Sequence, residues 1–231
     1  MKKLSRSAPA HLRFAVVASD AVIFMVKGGT LYVRVIPVHR PPHYKNAKAF
    51  PGGVLRPEET AEKATHRLIA DKGLIDNSHI YLEQLYTFSE VNRDPRGRVV
   101  AVAYCAFVPW NALSNKERMD TKEVWWEPAH TLKNLAYDHD EMLRMAIARL
   151  RSRVHYTTLI SKLMPKEFTL TELEQIYESI LEANLDKRNF RKKILKLGIL
   201  KELPKKKSSG RSRPAKLYSF ASPAVSDIEV L

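Results

Sequence analysis

The chain has 231 residues, with 39 Lys and Arg against 25 Asp and Glu, which gives a formal net charge of +14. Hydrophobic residues make up 45% and charged residues 28%, ordinary globular values that exclude wholesale disorder, collagen and coiled coil. The single cysteine, Cys105, excludes an internal disulfide and a cysteine-rich zinc site. No uncharged apolar run reaches about 18 residues, so we expect a soluble cytoplasmic protein of one large or two small domains, without a membrane partner.

The first hundred residues predict strands separated by turns. Residues 14–18, 22–26 and 30–38 are rich in β-branched and aromatic side chains, and Gly28-Gly29 before the third run has the composition of a hairpin turn. A later apolar run, 99–108, contains the cysteine. Between these runs lies a glycine-rich and acidic segment that precedes a predicted helix ending near Lys72.

That segment contains a recognisable spacing. Gly53, Glu59 and Arg67 are separated by five and seven residues, and Phe50-Pro51-Gly52 comes directly before them. The pattern resembles the start of the Nudix box, G-x5-E-x7-R-E-U-x-E-E-x-G-U, where U is aliphatic. In that family the box forms a loop and a helix whose glutamates hold a divalent metal against a diphosphate, so that a polarised water can attack phosphorus.

The second half of the box departs from the family pattern. Leu68 follows Arg67 where the family has glutamate, and Asp71 and Lys72 replace the paired glutamates. A rival register, aligned backward from Gly73, also keeps Asp71 as its one carboxylate. One Asp beside an ammonium group is a poor ligand set for a hard divalent cation. We therefore predict no catalytic residues, no metal and no cofactor, only a degenerate box formed by Gly53, Glu59, Arg67 and Asp71.

A turn beyond the box predicts a ligand site. Asp94-Pro95 and Arg96-Gly97 are turn sequences that bring Arg93, Arg96 and Arg98 together, and arginine forks suit phosphate oxygens. Tyr86 can stack on a base. The alternative is a solvated hairpin tip with no ligand. The surrounding stretches, 81–89 and 92–100, resemble the corresponding parts of ADP-ribose-type Nudix proteins.

A further helix is predicted to begin near residue 138. Asp138 and Glu141 have the spacing of a capping box, and apolar residues follow at helical intervals. His139 lies in the first turn of this helix, where we expect it to be solvated, since no second histidine four residues away completes a metal pair.

The charge is concentrated near the C-terminus. Residues 187–216 hold thirteen Lys or Arg and one acid, a net charge of +12, which leaves +2 for the rest of the chain. Upstream, Thr169 and Glu172 predict a capped helix, and Asp186 predicts the cap of a second, basic helix. Residues 199–203 and 217–220 predict two short strands joined by a basic loop, 204–216. Helix, turn, basic helix and a hairpin with a basic tip are typical of a winged helix-turn-helix.

This architecture predicts duplex DNA as a partner. The second helix would enter the major groove, where residues near its N-terminus, such as Arg188, Asn189 and Lys192, contact base edges, while the basic loop neutralises phosphates. The predicted DNA-binding residues are Lys187, Arg188, Asn189, Arg191, Lys192, Lys196, Lys205, Lys206, Lys207, Arg211 and Arg213.

Taken in order, these motifs resemble the Nudix-related transcriptional regulators of the NrtR group. The resemblance implies an α+β fold, in which an α/β/α Nudix-like sandwich with a mixed sheet (1–152) precedes a winged helix-turn-helix (153–231). It also implies a homodimer that binds a palindromic operator and represses NAD or sugar metabolism genes, and a nucleotide effector such as ADP-ribose or NAD. Two alternatives stay open: a Mg²⁺-dependent ADP-ribose or nucleotide-sugar pyrophosphatase, and an RNA-binding Nudix protein.

Overall fold

The structure is a computed structural model that describes residues 15–208 and 214–228. Phe14, which belongs to a predicted strand, and Arg211 and Arg213 of the predicted basic loop lie outside these ranges.

A mixed sheet forms the centre of the N-terminal part. Its order is β3-β2-β1-β6-β5, with β4 paired to β1 and β7 paired to β2. β1 and β6 are parallel, and the other pairs are antiparallel. The strands are β1 (Val16–Lys27), β2 (Thr30–Arg40), β3 (Tyr44–Ala49), β4 (Gly52–Val54), β5 (Tyr81–Phe88), β6 (Val99–Phe107) and β7 (Trp125–Pro128).

β1 runs through the middle of this sheet as one strand, although the sequence predicts two. The polar pair Ser19-Asp20, which separates the two apolar runs, is buried and finds partners there: Ser19 Oγ lies 2.5 Å from Thr65 Oγ1 and donates to the Val102 carbonyl at 3.0 Å. Strand pairing therefore continues across the polar residues. Alternate apolar residues of β1 enter separate cores on the two faces of the sheet, as the two-residue repeat of a strand requires.

Helices cover both faces. α1 (Ala61–Asp71) packs on one face and α3 (His139–Tyr156) on the other, while α2 (Asn115–Arg118) is a single turn between β6 and β7. The core beneath α3 includes Leu143, Leu150 and Val154, and the core on the opposite face includes Ile69 of α1. The predicted sandwich with a mixed sheet is confirmed.

The C-terminal part is the predicted winged helix. α4 (Leu170–Leu181) begins with the capping box of Thr169 and Glu172, and α5 (Lys187–Lys196) begins at Asp186, whose side chain accepts from the Asn189 backbone N–H. Strands β8 (Leu200–Lys207) and β9 (Ala215–Phe220) form the hairpin. β8 is longer than predicted, since its pairing resumes at Lys206 after an irregularity that follows Glu202.

The two parts share one apolar core. α3 continues past residue 152, and its Leu150 and Val154 belong to the same cluster as Tyr177 of α4 and Phe190 of α5. The boundary at 152/153 therefore falls inside a helix, and where the domains divide stays a prediction. Among the described residues, no helix combines the length and the apolar composition needed to cross a bilayer.

Candidate functional site

A cavity of about 530 Å³ opens beside β1, in the size range of small-molecule sites. Its walls come from β1, β2, β3 and β4, from the end of α1, from the 93–96 turn and from the start of α3. The polar side chains that carry the following argument are Asp20, Arg40, Lys72, Arg93, Arg96 and His139.

A buried ionic cluster lies on one side of this cavity. Arg93, whose side chain is 3% exposed, donates to both carboxylate oxygens of Asp138, at 2.7 and 2.6 Å. The same guanidinium lies 3.6 Å from Asp20. Burial raises the pKa of Asp20, and the nearby His139 and Arg93 oppose that shift. Arg93 is therefore the cation that compensates two carboxylates withdrawn from water.

His139 is part of this cluster, so the prediction of a solvated histidine is wrong. Its Nδ1 accepts from the Phe50 backbone N–H at 3.0 Å, and its ring stacks on Phe50 with centroids 5.3 Å apart. Nε2 lies 3.8 Å from Asp20. The expected capping box is also wrong, because Asp138 makes no side-chain capping bond and binds Arg93 instead. Burial lowers the pKa of His139, which favours the neutral ring that accepts from Phe50.

We expect His139→Gln to flatten the acid side of the stability profile. Since the folded-state pKa lies below 6.5, the unfolded chain takes up a proton as pH falls through 6.5 and the folded chain does not, so stability is lost toward acid. One such group contributes at most about 1.4 kcal/mol per pH unit. Gln keeps an acceptor for Phe50 but does not titrate. Urea unfolding between about pH 7.5 and about pH 5.5 measures the slope, and equal slopes in wild type and variant would contradict the assignment.

The control for this measurement is His155→Gln, because His155 is exposed on the same helix. Asp20 contributes a slope of opposite sign, since a carboxylate whose folded-state pKa is raised loses stability as pH rises above 3.8. The difference between His139→Gln and wild type, rather than the absolute slope, therefore isolates the histidine.

The predicted arginine cluster is only partly brought together. Arg93 and Arg96 line the cavity, whereas Arg98 does not. Arg98 instead donates to the carbonyls of Ser89 and Glu90, at 2.8 and 3.2 Å, and so connects the two ends of the loop between β5 and β6.

Arg96 and Tyr86 also differ from a simple phosphate-and-base site. The Arg96 guanidinium binds Asp94 at 2.6 Å and lies 5.2 Å from the Tyr137 ring centroid, with its side chain half exposed. Tyr86 is exposed, packs edge-to-face on Phe88 with centroids 5.4 Å apart, and does not line the cavity. Their roles in ligand binding stay predictions.

Two of the four box residues, Gly53 and Asp71, line the same cavity, and Glu59 and Arg67 do not. Glu59 accepts from Arg67 Nε at 3.0 Å, and this bond lowers the pKa of Glu59 to about 2. Asp71 is more than half exposed, 4.0 Å from Arg67. Gly53 lines the cavity and packs against Leu68, which is buried. Within residues 15–208 and 214–228, no three His, Cys, Asp or Glu side chains are grouped so that they could hold a metal ion.

The cavity contains residues that the sequence did not single out as a site. Asp20, Arg40 and Tyr137 line it, as does His139. Asp20 could have been recognised from the sequence, because it is a charged residue between apolar runs of β1 and a buried charge needs a partner or a function. Nothing local distinguishes Arg40 or Tyr137, since only the folded chain brings β2 beside the start of α3.

The second candidate surface is α5. Lys187, Arg188, Asn189, Lys192 and Lys196 are all exposed along it. Among the described residues, none of the four cations in this set forms an ion pair with an acidic residue. Arg191, on the same helix, does form such a pair. Asn189 donates from its side chain to Asp186 at 3.1 Å. The helix therefore presents a continuous cationic face.

Arg191 has a different environment from its neighbours. It donates to Glu174 of α4 through two bonds, at 2.5 and 3.0 Å, and to Thr171 Oγ1 at 3.1 Å. The Glu174 side chain is 1% exposed. A buried carboxylate depends on its cation, so Arg191 holds α5 against α4 and is less available to DNA than predicted.

The lysines predicted for the basic loop lie on β8 instead. Lys205 pairs with Glu167 at 3.2 Å and Lys207 pairs with Glu172 at 2.6 Å, while Lys206 is exposed. Exposed pairs of this kind are worth about 0.2–1 kcal/mol, so a phosphate can compete for either lysine. Their DNA contacts stay predictions.

Side chains of the N-terminal part terminate α4. His130 Nε2 donates to the Ser179 carbonyl at 2.8 Å, and Arg151 Nε of α3 donates to the Ile180 carbonyl at 3.0 Å. Arg151 also binds Glu182, which has a left-handed backbone, φ 52°. The last carbonyls of a helix lack partners within it, so the end of α4 depends on α3 and on the loop after β7 for its hydrogen bonds.

Comparison with known proteins gives matches to both parts of the chain. Residues 160–220 match the family model of the NrtR DNA-binding winged helix domain. Over 205 residues the chain is 38% identical to the ADPR responsive transcriptional repressor NtrR of Acinetobacter baylyi, a match that covers 87% of this chain and 80% of that protein.

Solved structures agree with this match over both parts of the chain. Shewanella oneidensis NrtR complexed with a 27mer DNA superposes with a TM-score of 0.76 at 27% identity, covering 88% of this chain and 93% of that one. The NUDIX domain of the same protein complexed with ADP ribose matches with a TM-score of 0.52 at 27% identity, covering 63% and 94%. The chain belongs to the NrtR family of transcriptional regulators, in which a Nudix domain precedes a DNA-binding winged helix.

Proposed function

We propose that this protein is a transcriptional repressor whose affinity for duplex DNA is controlled by ADP-ribose or a related nucleotide, bound in the cavity beside β1. The observation that carries the proposal is that one apolar core joins a nucleotide-sized cavity to a cationic recognition helix. Two relatives support the same assignment: the Acinetobacter baylyi protein is an ADPR responsive repressor, and the Shewanella oneidensis protein was solved in complex with DNA. A cytoplasmic location belongs to this proposal, because the protein must reach the chromosome.

The cavity has groups suited to a diphosphate. Arg40 and Lys72 line it and form no ion pair with another of the described residues, so both remain available to phosphate oxygens. Arg96 is tied to Asp94 but keeps a half-exposed side chain at the rim. Charge-assisted hydrogen bonds from such groups are about twice as strong as neutral ones, which favours an anionic nucleotide over a neutral metabolite.

On the DNA side, α5 occupies the major groove. Its N-terminal residues Arg188, Asn189 and Lys192 are placed to contact base edges, and the lysines of β8 contact neighbouring phosphates. A homodimer with two-fold symmetry presents two such helices to the half-sites of a palindrome.

The hydrogen bonds at the end of α4 link the two sites. His130 and Arg151 belong to the Nudix domain, and the carbonyls that they bind belong to the first helix of the helix-turn-helix. A shift of α3, whose first turn carries the cavity residue His139 and whose last turns carry Arg151, alters the support of α4 and thereby the position of α5. The coupling is expected to be about 1–3 kcal/mol, typical of allosteric proteins.

Hydrolysis is not part of the proposed function. Glu59 is engaged by Arg67, Leu68 is buried, and Lys72 projects an ammonium group into the cavity. The competing function is a Mg²⁺-dependent pyrophosphatase. An ADP-ribose turnover of about 1 s⁻¹ or faster with Mg²⁺, an ordinary enzymatic rate, would establish that competitor.

The test combines effector and DNA in one titration. A duplex obtained by selection from a randomised palindrome is bound to the protein, and its affinity is measured by fluorescence anisotropy with and without ADP-ribose. We expect ADP-ribose to weaken binding by about 5- to 150-fold, the range that corresponds to the expected coupling. ADP-ribose that binds the protein without changing its affinity for DNA would refute the regulatory step, and preference for an RNA of the same sequence would favour the RNA-binding alternative.

A further inference from the structure

Lys72 is held in the cavity by the local backbone. It follows the last residue of α1, and its Nζ donates to the Gly52 carbonyl at 2.5 Å. Two glycines of β4 lie at this approach. A Cβ at Gly52 would lie 1.7 Å from Asp20 Oδ1, and a Cβ at Gly53 would lie 2.9 Å from Leu68 Cδ2 and 3.4 Å from Lys72 Nζ. The missing side chain at Gly52 therefore lets the strand bring its carbonyl to the ammonium without colliding with Asp20.

The residues of this region do not fit the divalent metal that Nudix enzymes use. A hard cation such as Mg²⁺ requires several oxygen ligands at once. Glu59 is committed to Arg67, Leu68 offers no oxygen, and Asp71 is more than half exposed. An ammonium bound to a backbone carbonyl also repels a second cation nearby.

We propose that the Lys72 ammonium takes the place of a divalent cation in this cavity, so that a diphosphate ligand binds the protein without metal. The inference rests on the proposed function, because it concerns the same cavity and the same class of ligand.

The geometry of the ammonium supports this role. A lysine ammonium has three N–H donors, and one of them is used by Gly52. The remaining two have no acceptor among the described residues, and Lys72 lines the cavity together with Arg40 and Arg96. Partial burial lowers the pKa of Lys72, and the nearby Arg40, Arg67 and Arg96 add to that shift, while the negative charge of Asp20 opposes it.

The experiment measures ADP-ribose binding by calorimetry, first in excess EDTA and then in excess Mg²⁺. We expect the same Kd in both conditions within about twofold, well under the tenfold that corresponds to 1.4 kcal/mol. Lys72→Met, which keeps the aliphatic length and removes the charge, is expected to weaken binding by about tenfold or more in both conditions, since it loses charge-assisted bonds. Lys63→Met is the matched control, because Lys63 is exposed on α1, the helix that Lys72 follows, and does not line the cavity.

Inorganic pyrophosphate is the second probe, and it separates failure of this inference from failure of the proposed function. If pyrophosphate binds in EDTA and loses affinity in Lys72→Met while ADP-ribose does not bind at all, the proposed effector is wrong and the inference stands. Binding of either probe that requires Mg²⁺ would overturn the inference. So would unchanged affinity in Lys72→Met, or the absence of binding by both probes. Thermal unfolding of each variant establishes that the fold is intact.

Discussion

Replacing Arg188 and Lys192 together with alanine is expected to reduce affinity for operator DNA by about 100-fold or more. Both residues are exposed near the start of α5, and neither is engaged by a carboxylate within the described part of the chain. A good side-chain contact to a base edge contributes about 1–3 kcal/mol, and a dimer loses each contact twice. Anisotropy titrations measure the loss, and the preference for the operator over a scrambled duplex should fall with it, because contacts to base edges carry sequence specificity.

The matched control is Lys63→Ala with Lys116→Ala. These two lysines are exposed on α1 and α2 of the Nudix domain, so the double variant removes the same charge from a different surface. We expect it to change affinity by less than about threefold, through long-range electrostatics alone. Equal losses in the two double variants would mean that general charge, rather than α5, determines DNA binding. Arg191 is left unchanged in both, because its removal would strand the buried Glu174.

Local signals in the sequence predicted much of the winged helix. The caps at Thr169 and Asp186 use side chains that bond to backbone three residues away, so their geometry follows from adjacent sequence. The same holds for the apolar stripe of α5, of which Phe190 and Ile194 are buried. The family resemblance supplied the sandwich with a mixed sheet, which periodicity alone does not determine.

Long-range ion pairs involve two residues whose local sequence suggests other partners. Asp138 has the sequence context of a capping residue, but Arg93, 45 residues earlier, binds it. Arg191 has the context of an exposed side chain, and Glu174 on the preceding helix binds its guanidinium, while its contact with DNA stays a prediction. In each case a charged group distant in sequence competes with the local interaction, and the buried ion pair prevails because an uncompensated buried charge costs more than a cap or a solvated side chain.

The hairpin illustrates a different limit. Pro204 and the lysines that follow it favour a loop, yet residues 200–207 form β8, whose pairing with β9 is interrupted between Glu202 and Lys206. Acidic residues of the preceding segment and of α4, Glu167 and Glu172, lie close enough to pair with two of the lysines. Composition predicted the charge of this segment, and tertiary contacts determined its conformation.

Arg93→Met is expected to lower the free energy of unfolding by about 3–5 kcal/mol, the usual result when one partner of a buried ion pair is removed. The Arg93 side chain is 3% exposed, against 17% for Asp138 and 9% for Asp20, so the two carboxylates would lose their cation where water cannot replace it. Methionine is similar in length and fills the space, which limits any contribution from a cavity. Urea unfolding without nucleotide measures the change in the midpoint at constant m-value.

Two further variants show whether stranded charge is the cause. Arg93→Met combined with Asp138→Asn removes the carboxylate nearest to the missing guanidinium, and we expect it to recover at least about half of the lost stability, because a neutral amide costs less to bury than an unpaired charge. Arg144→Met removes an exposed pair with Glu141, whose side chains are 72% and 45% accessible, and should cost less than about 1 kcal/mol. If Arg93→Met is no more destabilising than Arg144→Met, the ionic cluster beside the cavity does not hold α3 to the sheet. The double variant would then have no lost stability to recover, and the role of Arg93 would be limited to ligand binding.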